Sequence, residues 1–501
     1  MNILLVNPKV PDTFWSFNTV LKFVSKKSLL PPLGLMTVAS MLPDKWEKKL
    51  VDMNITRLRD RDIKWADYVF ISGMVVQKQS ADDLVARCVR LGTKTVGGGP
   101  LFNTFPHEYT NVDHLVFKEA ELTLPAFLKD IEQGTARPFY NTHQKPDLSL
   151  TPPPMWELIN MKKYALMCVQ YSRGCPFDCD FCDVTNLFGH AIRTKPTQHL
   201  ISELDSLYET GWRGDVFFVD DNFIGKKSVL KKELLPALIE WMDKMKHPFN
   251  FNTQASINIA DDEELMHMMV QAGFNSVFIG IESPDEETLI ACNKLQNKGR
   301  DIPACVKKVI QSGLQVQGGF IVGFDSDDSS VFDRLIHLIQ NSGIVVAMVG
   351  LLNAPPGTKL YDKMLRENRL TRPPTGDNTD CTMNFIPKMD AETLMHGYEK
   401  VIKTIYSQKY YCRRIKLFLR NYKPKKKTAL LFHYREIQAF VKSVWHLGIL
   451  GKGRIHYWLL LLWSLRSPSH FHMAVRLSIY GFHFRQTFKA AQRRQYVLSE
   501  K

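Results

Sequence analysis

The sequence predicts an α/β protein in three parts: a doubly wound parallel sheet first, a partial (β/α)6 barrel second, and a helical C-terminal region last. Three observations carry this. Short apolar runs alternate with helix-length amphipathic stretches through most of the chain, the signature of parallel sheets covered by helices. The alternation breaks once, at the proline-rich "KPDLSLTPPPMWE". Beyond the turn-rich "RPPTGDNTD" at residues 372–380 the strands stop, and basic and aromatic residues take over. A chain of 501 residues has room for roughly two to four domains, and the boundaries fall at 1–145, 160–375 and 376–501.

The first part contributes the strands "NILLVNP", "KKLVDMN", "DYVFISGM", "TKTVGGGP" and "HLVFKEAE", with helical stretches such as "PPLGLMTVASMLP" and "SADDLVARCVRLG" between them. In such sheets the loops at the carboxyl ends of the strands hold ligands. The second part repeats the pattern six times, in "ALMCVQYSRGC", "DVFFVDDNF", "FNFNTQASI", "SVFIGIES", "VQGGFIVGF" and "IVVAMVGLLNAPPGT". Six strand–helix units are too few to close an eightfold barrel, and the site belongs at the C-terminal ends of the strands.

Composition narrows the class. The opening "MNILLVNP" reads as a buried strand and lacks the basic-then-apolar order of a secretory signal. The longest apolar run, "YWLLLLW" at residues 457–463, is far below the roughly 18 residues of a membrane span. Nine cysteines without an export signal indicate a reducing, cytoplasmic setting, where clustered thiols are metal ligands more often than disulfides. The net charge of +14 is uneven: from residue 401 onward 21 Lys and Arg face two acids, giving +19 there and −5 before it.

The candidate chemistry lies in "SRGCPFDCDFC", which places Cys175, Cys179 and Cys182 at i, i+4 and i+7 directly after the first barrel strand. Three thiolates in one loop leave a coordination position open, whereas a structural zinc site closes four. The C-x-x-x-C-x-x-C spacing with Phe181 before the last cysteine resembles the radical S-adenosylmethionine enzymes. In that family the three cysteines hold a [4Fe–4S] cluster, and its fourth iron binds the amino and carboxylate groups of S-adenosylmethionine, so the cofactor carries the difficult chemistry. The resemblance covers about residues 164–361. It implies cofactor contacts at Asp220, Asp221 and Asn222 in "VDDNF", at Ser256 in "NTQAS", and at Glu282 and Ser283 in "FIGIES". It implies further contacts at Gly319 and Gly323 in "GGFIVGF" and at Asn353 in "NAPPGT".

The part before the barrel resembles the cobalamin-binding domain of B12-dependent radical enzymes. The matching stretches are "PPLGL" (Pro32, Gly34), "SGMVVQ" (Ser72, Gly73, Met74, Gln77), "GGGP" (Gly98, Gly99) and "KEAE" (Glu119). Glycine-rich turns after parallel strands let backbone approach a flat macrocycle and a phosphate-bearing tail. The histidine-ligating D-x-H-x-x-G is missing, since Asp113 and His114 are adjacent in "VDHLVF". The resemblance therefore implies cobalamin bound without a protein histidine below cobalt. Lys118 stands where the subgroup has glycine.

The tail, with "RRIKLFLRNYKPKKK" and "GFHFRQTF", is open to three readings: a nucleic-acid surface, amphipathic helices on the inner face of an anionic membrane, or a helical cap with a solvated basic face. The whole layout, including "DTFWSF" and "GFHFR", resembles the cobalamin-dependent radical methylases, among them hopanoid C-2 methylases and bacteriochlorophyll side-chain methylases. This implies C-methylation of an unactivated carbon in a small apolar molecule, a hopanoid-like lipid or a tetrapyrrole. It also implies [4Fe–4S], S-adenosylmethionine and cobalamin (as methylcobalamin) as cofactors, and a reductant such as flavodoxin or ferredoxin. The alternatives are an oxidative ring closure on a tetrapyrrole and an RNA modification. The RNA-modifying methylthiotransferases carry extra N-terminal cysteines where this chain has only Cys88, which disfavours nucleic acid as partner.

Overall fold

The computed structural model describes residues 1–377, 379–424 and 434–499, with the side chains of 434–435 and 492–499 outside the description. The basic run at residues 425–427 lies outside the described residues as well. Strands β1 (Asn2–Asn7), β2 (Glu47–Asp52), β3 (Tyr68–Ser72), β4 (Lys94–Gly98), β5 (His114–Val116) and β6 (Phe139–Tyr140) form one sheet. Its order is β2-β1-β3-β4-β5-β6, with parallel pairing throughout. β1 shows why its sequence is apolar without alternation. Ile3 and Leu5 pack on one side with Phe70, Val96 and Phe127, while Leu4 and Val6 pack on the other with Val69, Ile71 and Leu115. Both faces are covered, as parallel sheets require. The strand order reverses beside β1, and the crevice beyond the ends of β1 and β3 is where such sheets bind ligands. β6 escapes the sequence reading because two residues make no apolar run.

The second sheet comprises β7 (Met167–Val169), β10 (Gly214–Phe218), β11 (Phe249–Gln254), β12 (Phe274–Glu282), β13 (Gln315–Val322) and β14 (Val346–Leu351), in the order β14-β13-β12-β11-β10-β7. These are the six strands that the sequence predicts. A short antiparallel ribbon, β8 (Ser172–Arg173) with β9 (Arg193–Thr194), was not anticipated; it pairs Arg173 with Arg193.

The chain divides into two compact units. The first is Met1–Pro11, Lys27–Cys175 and Asp183–Asp220; the second is Asp12–Lys26, Pro176–Cys182 and Asp221–Lys501. In the second, "DTFWSF" and "GFHFR" prove to be partners. The Phe14 ring stacks on Phe484 with centroids 4.2 Å apart, and Phe17 stacks on His483 at 5.1 Å. Burial pushes the His483 pKa down to about 4, so the ring is neutral and its Nε2 hydrogen can be donated to the Phe14 carbonyl 3.0 Å away.

The tail is helical as predicted, in Ala391–Ile405, Gln408–Asn421, Tyr434–Ser443, Arg454–Ser464 and Pro468–Ser499. It covers the edge strand β14: Tyr406 donates to the Ala347 carbonyl at 2.6 Å and Tyr398 to that of Val349 at 3.1 Å. The fully buried Arg414 donates to the carbonyls of Ile405 and Val345. An edge whose carbonyls are capped in this way cannot recruit another strand.

Candidate active site

Cys175 belongs to the first unit, and Cys179 and Cys182 belong to the second. In the first unit, Cys175 follows Gly174, whose φ is +98°. A Cβ there would lie 2.8 Å from the Ala191 carbonyl oxygen and 2.9 Å from that of Gly189, so glycine is required. The Cys175 amide donates to the Gly189 carbonyl at 3.2 Å. The preceding Arg173 forks onto Glu119 (2.7 Å) and Glu121 (2.8 Å), and Arg193 places two bonds of 2.9 Å on Glu119. Asp220, fully buried, accepts from the Tyr171 amide at 3.1 Å and from both the amide and hydroxyl of Ser172. Burial pushes its carboxyl up to about 6 despite those donors.

In the second unit, Phe181 packs into the cluster around Phe324, Leu352 and Ala354. Asp178 and Asp180 are tied down through their carbonyls by Asn293 Nδ2 and the Leu360 amide. Gln296 Nε2 lies 3.6 Å from the Cys179 sulfur. Burial disfavours the Lys294 ammonium, but Glu282, Cys179 and Cys182 outweigh it and hold the pKa above its ordinary value. A cation beside two thiols favours thiolate. The three loop cysteines are half-buried, whereas Cys88, Cys168, Cys292, Cys381 and Cys412 are buried. Burial pushes Cys88 and Cys412 up to about 11 and Cys292 to about 12. The loop cysteines are thus suited to ligating iron–sulfur, and those five are suited to packing.

The strand ends gather most of the other candidates. Glu282 is buried, takes φ +68° and pairs with Lys294 at 2.8 Å. Its carboxylate folds back over Gly280, where a Cβ would collide with it. Asn222 accepts from the amide and hydroxyl of Ser256 at 3.2 and 3.3 Å, and Asp221 beside it is half-buried. Ser283 caps the Asp285 amide. Gly323 (φ +99°) and Phe324 donate to Asp327. Asn353 donates to the carbonyls of Leu351 and Thr382. At Gly319 the place of a side chain is filled by the Phe278 ring, 2.7 Å from a hypothetical Cβ. Trp15, from the Asp12–Lys26 segment, stands edge-on to Phe278 at 5.4 Å and donates to the Met348 sulfur at 3.0 Å. Gly319 pairs directly with Met348, so Trp15, Phe278 and Met348 form an apolar wall beside it.

At the switch point of the first sheet, Gln77 is buried and donates to the Asn7 side chain (3.0 Å) and the Pro8 carbonyl (2.6 Å), and it accepts from the Met74 amide at 2.8 Å. Met74 is exposed, as is Gly34, which has no atom within 4 Å of a Cβ position. Gly73 meets only the Gln77 side chain. Pro32 and Gly34 open the helix Leu33–Met41. Gly99 (φ +88°) leaves no room for a Cβ beside the Ser72 hydroxyl, and a Cβ at Gly98 would lie 3.2 Å from the Val116 carbonyl oxygen. The open face at Gly34 fits close approach of a large flat ligand, whereas Gly73 is buried against Gln77. Glu119 instead faces Arg173 and Arg193. His114 is a core histidine whose Nδ1 lies 2.8 Å from the Arg137 carbonyl. Lys118 takes φ +62°, a backbone conformation that favours glycine.

Sequence reasoning missed Lys294, Gln296, Asn297 and the pair Arg173/Arg193. The run "CNKLQN", eight residues after "FIGIES", was the available signal, since Asn297 donates to the carbonyls of Gly280 and Ile281 and fixes the end of β12.

The chain matches the Radical SAM superfamily over residues 169–339, the B12 binding domain over residues 23–128 and a domain of unknown function over residues 358–496. It is 39% identical to an uncharacterized methyltransferase of Synechocystis sp., over 97% of this chain and 92% of the relative. It is 32% identical to the hopanoid C-2 methylase of Rhodopseudomonas palustris, over 91% of this chain and 88% of that one. Among solved structures, the cobalamin-dependent S-adenosylmethionine radical enzyme OxsB superposes with a TM-score of 0.63 at 14% identity, over 99% of this chain and 80% of its own. The chain therefore belongs to the cobalamin-dependent radical S-adenosylmethionine methyltransferases.

Proposed function

We propose that the enzyme methylates an unactivated carbon of a polycyclic, hopanoid-like lipid, at the cytoplasmic face of a membrane and with electrons from a flavodoxin or ferredoxin. The observation that carries the substrate class is the apolar wall of Trp15, Phe278 and Met348 beside Gly319. A polar substrate would leave such a wall unused, whereas an apolar ring system buries against it at about 25 cal/mol per Å². The 32% identity to a hopanoid C-2 methylase supports the same class.

When bound, the cluster and S-adenosylmethionine supply a carbon-centred radical, and cobalamin supplies the methyl group. Cys175, Cys179 and Cys182 would hold the cluster, and Lys294 and Gln296 would favour their thiolate form. Asp221, Asn222, Ser256, Glu282, Ser283, Gly319, Gly323 and Asn353 line the S-adenosylmethionine site, and Asp220 acts through the loop that it anchors. Pro32, Gly34, Ser72, Gly73, Met74, Gln77, Gly98 and Gly99 line the cobalamin site. Glu119 serves it by fixing the loop after β5. The corresponding domains run 1–145, 160–375 and 376–501.

Mass spectrometry of lipid and pigment extracts from cells with and without the gene, fed methyl-labelled methionine, tests this. The expected result is a polycyclic lipid one labelled methyl heavier, present only with the gene. A gene-dependent change confined to pigments or RNA would overturn the lipid reading.

A further inference from the structure

Among the described residues, 21 large hydrophobic side chains are exposed, and ten of them fall between positions 437 and 465. They are ordered. Ile437, Val441 and Trp445 recur every fourth residue along the helix Tyr434–Ser443 and its continuation Val444–Ile449. Ile455, Leu459 and Leu462 recur along Arg454–Ser464. Residues three and four apart share a helix face. The other side of the same helices is already buried, through Ala439, Leu447, Tyr457 and Leu460. These helices are thus apolar twice over, once toward the protein and once outward. Isolated exposed hydrophobics need no explanation, but a contiguous set marks an interaction surface.

The occupant can be argued from charge. No Asp or Glu occurs from residue 437 to residue 499, and Lys452, Arg454 and Arg466 are exposed at the ends of the Arg454–Ser464 helix. A second copy seated on this face would bring those cations against their own images, with Glu436, already beside His472 at 3.3 Å, as the single acid along these two helices, which is unfavourable. An anionic bilayer offers the opposite: an apolar layer bounded by phosphates. At about 1.5 Å rise per residue, an eleven-residue helix is about half as long as the hydrocarbon core is thick, and no helix among the described residues is long and apolar enough to cross a membrane. Such a helix can lie only in the interface. The Trp458 indole suits that depth. It is 40% exposed, and its N–H is already given to the Gly448 carbonyl at 3.0 Å, so the exposed part of the ring carries no unmet donor. Trp463, by contrast, is turned inward onto His470.

We propose that the face formed by Ile437, Val441, Trp445, Ile455, Leu459 and Leu462 docks on an anionic lipid bilayer, with Lys452, Arg454 and Arg466 on the headgroup phosphates. The inference deepens the reading of a membrane-dissolved substrate and gives it a place on the protein.

Flotation of the full-length, cofactor-loaded protein with substrate-free vesicles tests it, on phosphatidylcholine alone and on phosphatidylcholine mixed with phosphatidylglycerol. Binding to the mixed vesicles is expected. It should weaken about tenfold or more in the Leu459→Glu/Leu462→Glu variant, whose thermal unfolding stays that of the wild type because both side chains are exposed. Brominated lipid should quench tryptophan fluorescence less in Trp445→Phe. Absence of binding to mixed vesicles at low salt would overturn the proposal, as would equal binding by the double variant. So would a dimer that the double variant dissolves without any vesicle binding. Because the vesicles hold no substrate, docking can succeed where lipid methylation fails, and the reverse, so the two readings fail separately.

Discussion

Arg173→Ala should destabilise the protein more than any exposed substitution, and the structure says which group causes the loss. The guanidinium is 11% exposed and the carboxylates of Glu119 and Glu121 are 4% and 3% exposed, so the charges face one another with little water. Without Arg173, Glu119 keeps both bonds from Arg193. Glu121 keeps one hydroxyl, that of Thr151 at 2.7 Å. Breaking a buried pair and orphaning one charge costs about 3–5 kcal/mol, a large part of a typical stability of about 5–15 kcal/mol. Removing the orphan charge in Arg173→Ala/Glu121→Gln should return at least about 1 kcal/mol as coupling. The pH dependence follows from the carboxyl. Burial pushes the Glu121 pKa up, but the Arg173 hydrogen bonds and charge outweigh it and leave the value below the ordinary 4.5. A lowered folded pKa gives stability that is present above the ordinary value and is lost as pH falls through the folded one. The gap between wild type and Arg173→Ala should therefore be widest near neutrality and narrow on acidification. Urea denaturation of the anaerobically purified protein measures both, and iron analysis reads the effect on the cluster two residues away. A loss under about 1 kcal/mol, or strictly additive single and double variants, would refute the reasoning.

The remaining predictions concern the same loops. Cys175→Ala/Cys179→Ala/Cys182→Ala should bind no cluster iron after anaerobic reconstitution while wild type binds one cluster's worth; iron for two clusters in wild type would contradict this. Electron paramagnetic resonance of Co(II) cobalamin in the protein should lack nitrogen superhyperfine splitting, the expected state having neither a protein histidine nor the cofactor's own base below cobalt; His114 for its part is held in the core. Gly174→Ala should cost at least about 2 kcal/mol and most of the cluster iron, since the new Cβ meets two carbonyl oxygens at a strained φ. Lys118→Gly should stabilise by about 0.5–1 kcal/mol in thermal unfolding, since it removes a side chain from the left-handed region.

The strands were legible because their signal is local. β1 is apolar at every position from Ile3 to Val6 because helices cover both of its faces, and that pattern needs no knowledge of the rest of the chain. β8 and β9 were not legible. Two residues each carry no period, and their pairing is set by Gly174 and by the carboxylates that receive Arg173 and Arg193. The cysteine triplet was readable since ligand spacing within one loop is itself a sequence property. Lys294 was not, because its ammonium reaches Glu282 and the thiols from the turn after the helix Glu286–Ala291, and nothing in "CNKLQN" states where that turn points. The pairing of "DTFWSF" with "GFHFR" failed for the same reason at longer range: a stacking contact between Phe14 and Phe484 leaves no periodic trace.

Glu119 shows how a side chain in a motif can have protein partners that the motif does not name. "KEAE" follows β5 as the cobalamin-domain pattern requires, and a carboxylate there suggests a ligand contact. In the structure Glu119 meets Arg173 and Arg193, Glu121 meets Arg173, and Arg173 leads through Gly174 to Cys175. Residues numbered with the barrel, Lys27–Cys175 at its end and Asp183–Asp220, pack in the first unit with the loop after β5. Four charged groups at 2.7–2.9 Å, shielded from water, hold their geometry far more stiffly than solvated pairs do. The loop after β5 and the backbone that presents Cys175 are therefore one mechanical piece, so a shift at Lys118–Glu119 cannot leave Cys175 where it was. A substitution in the glycine-rich cobalamin loops can then lower iron content without touching a cysteine, through Arg173.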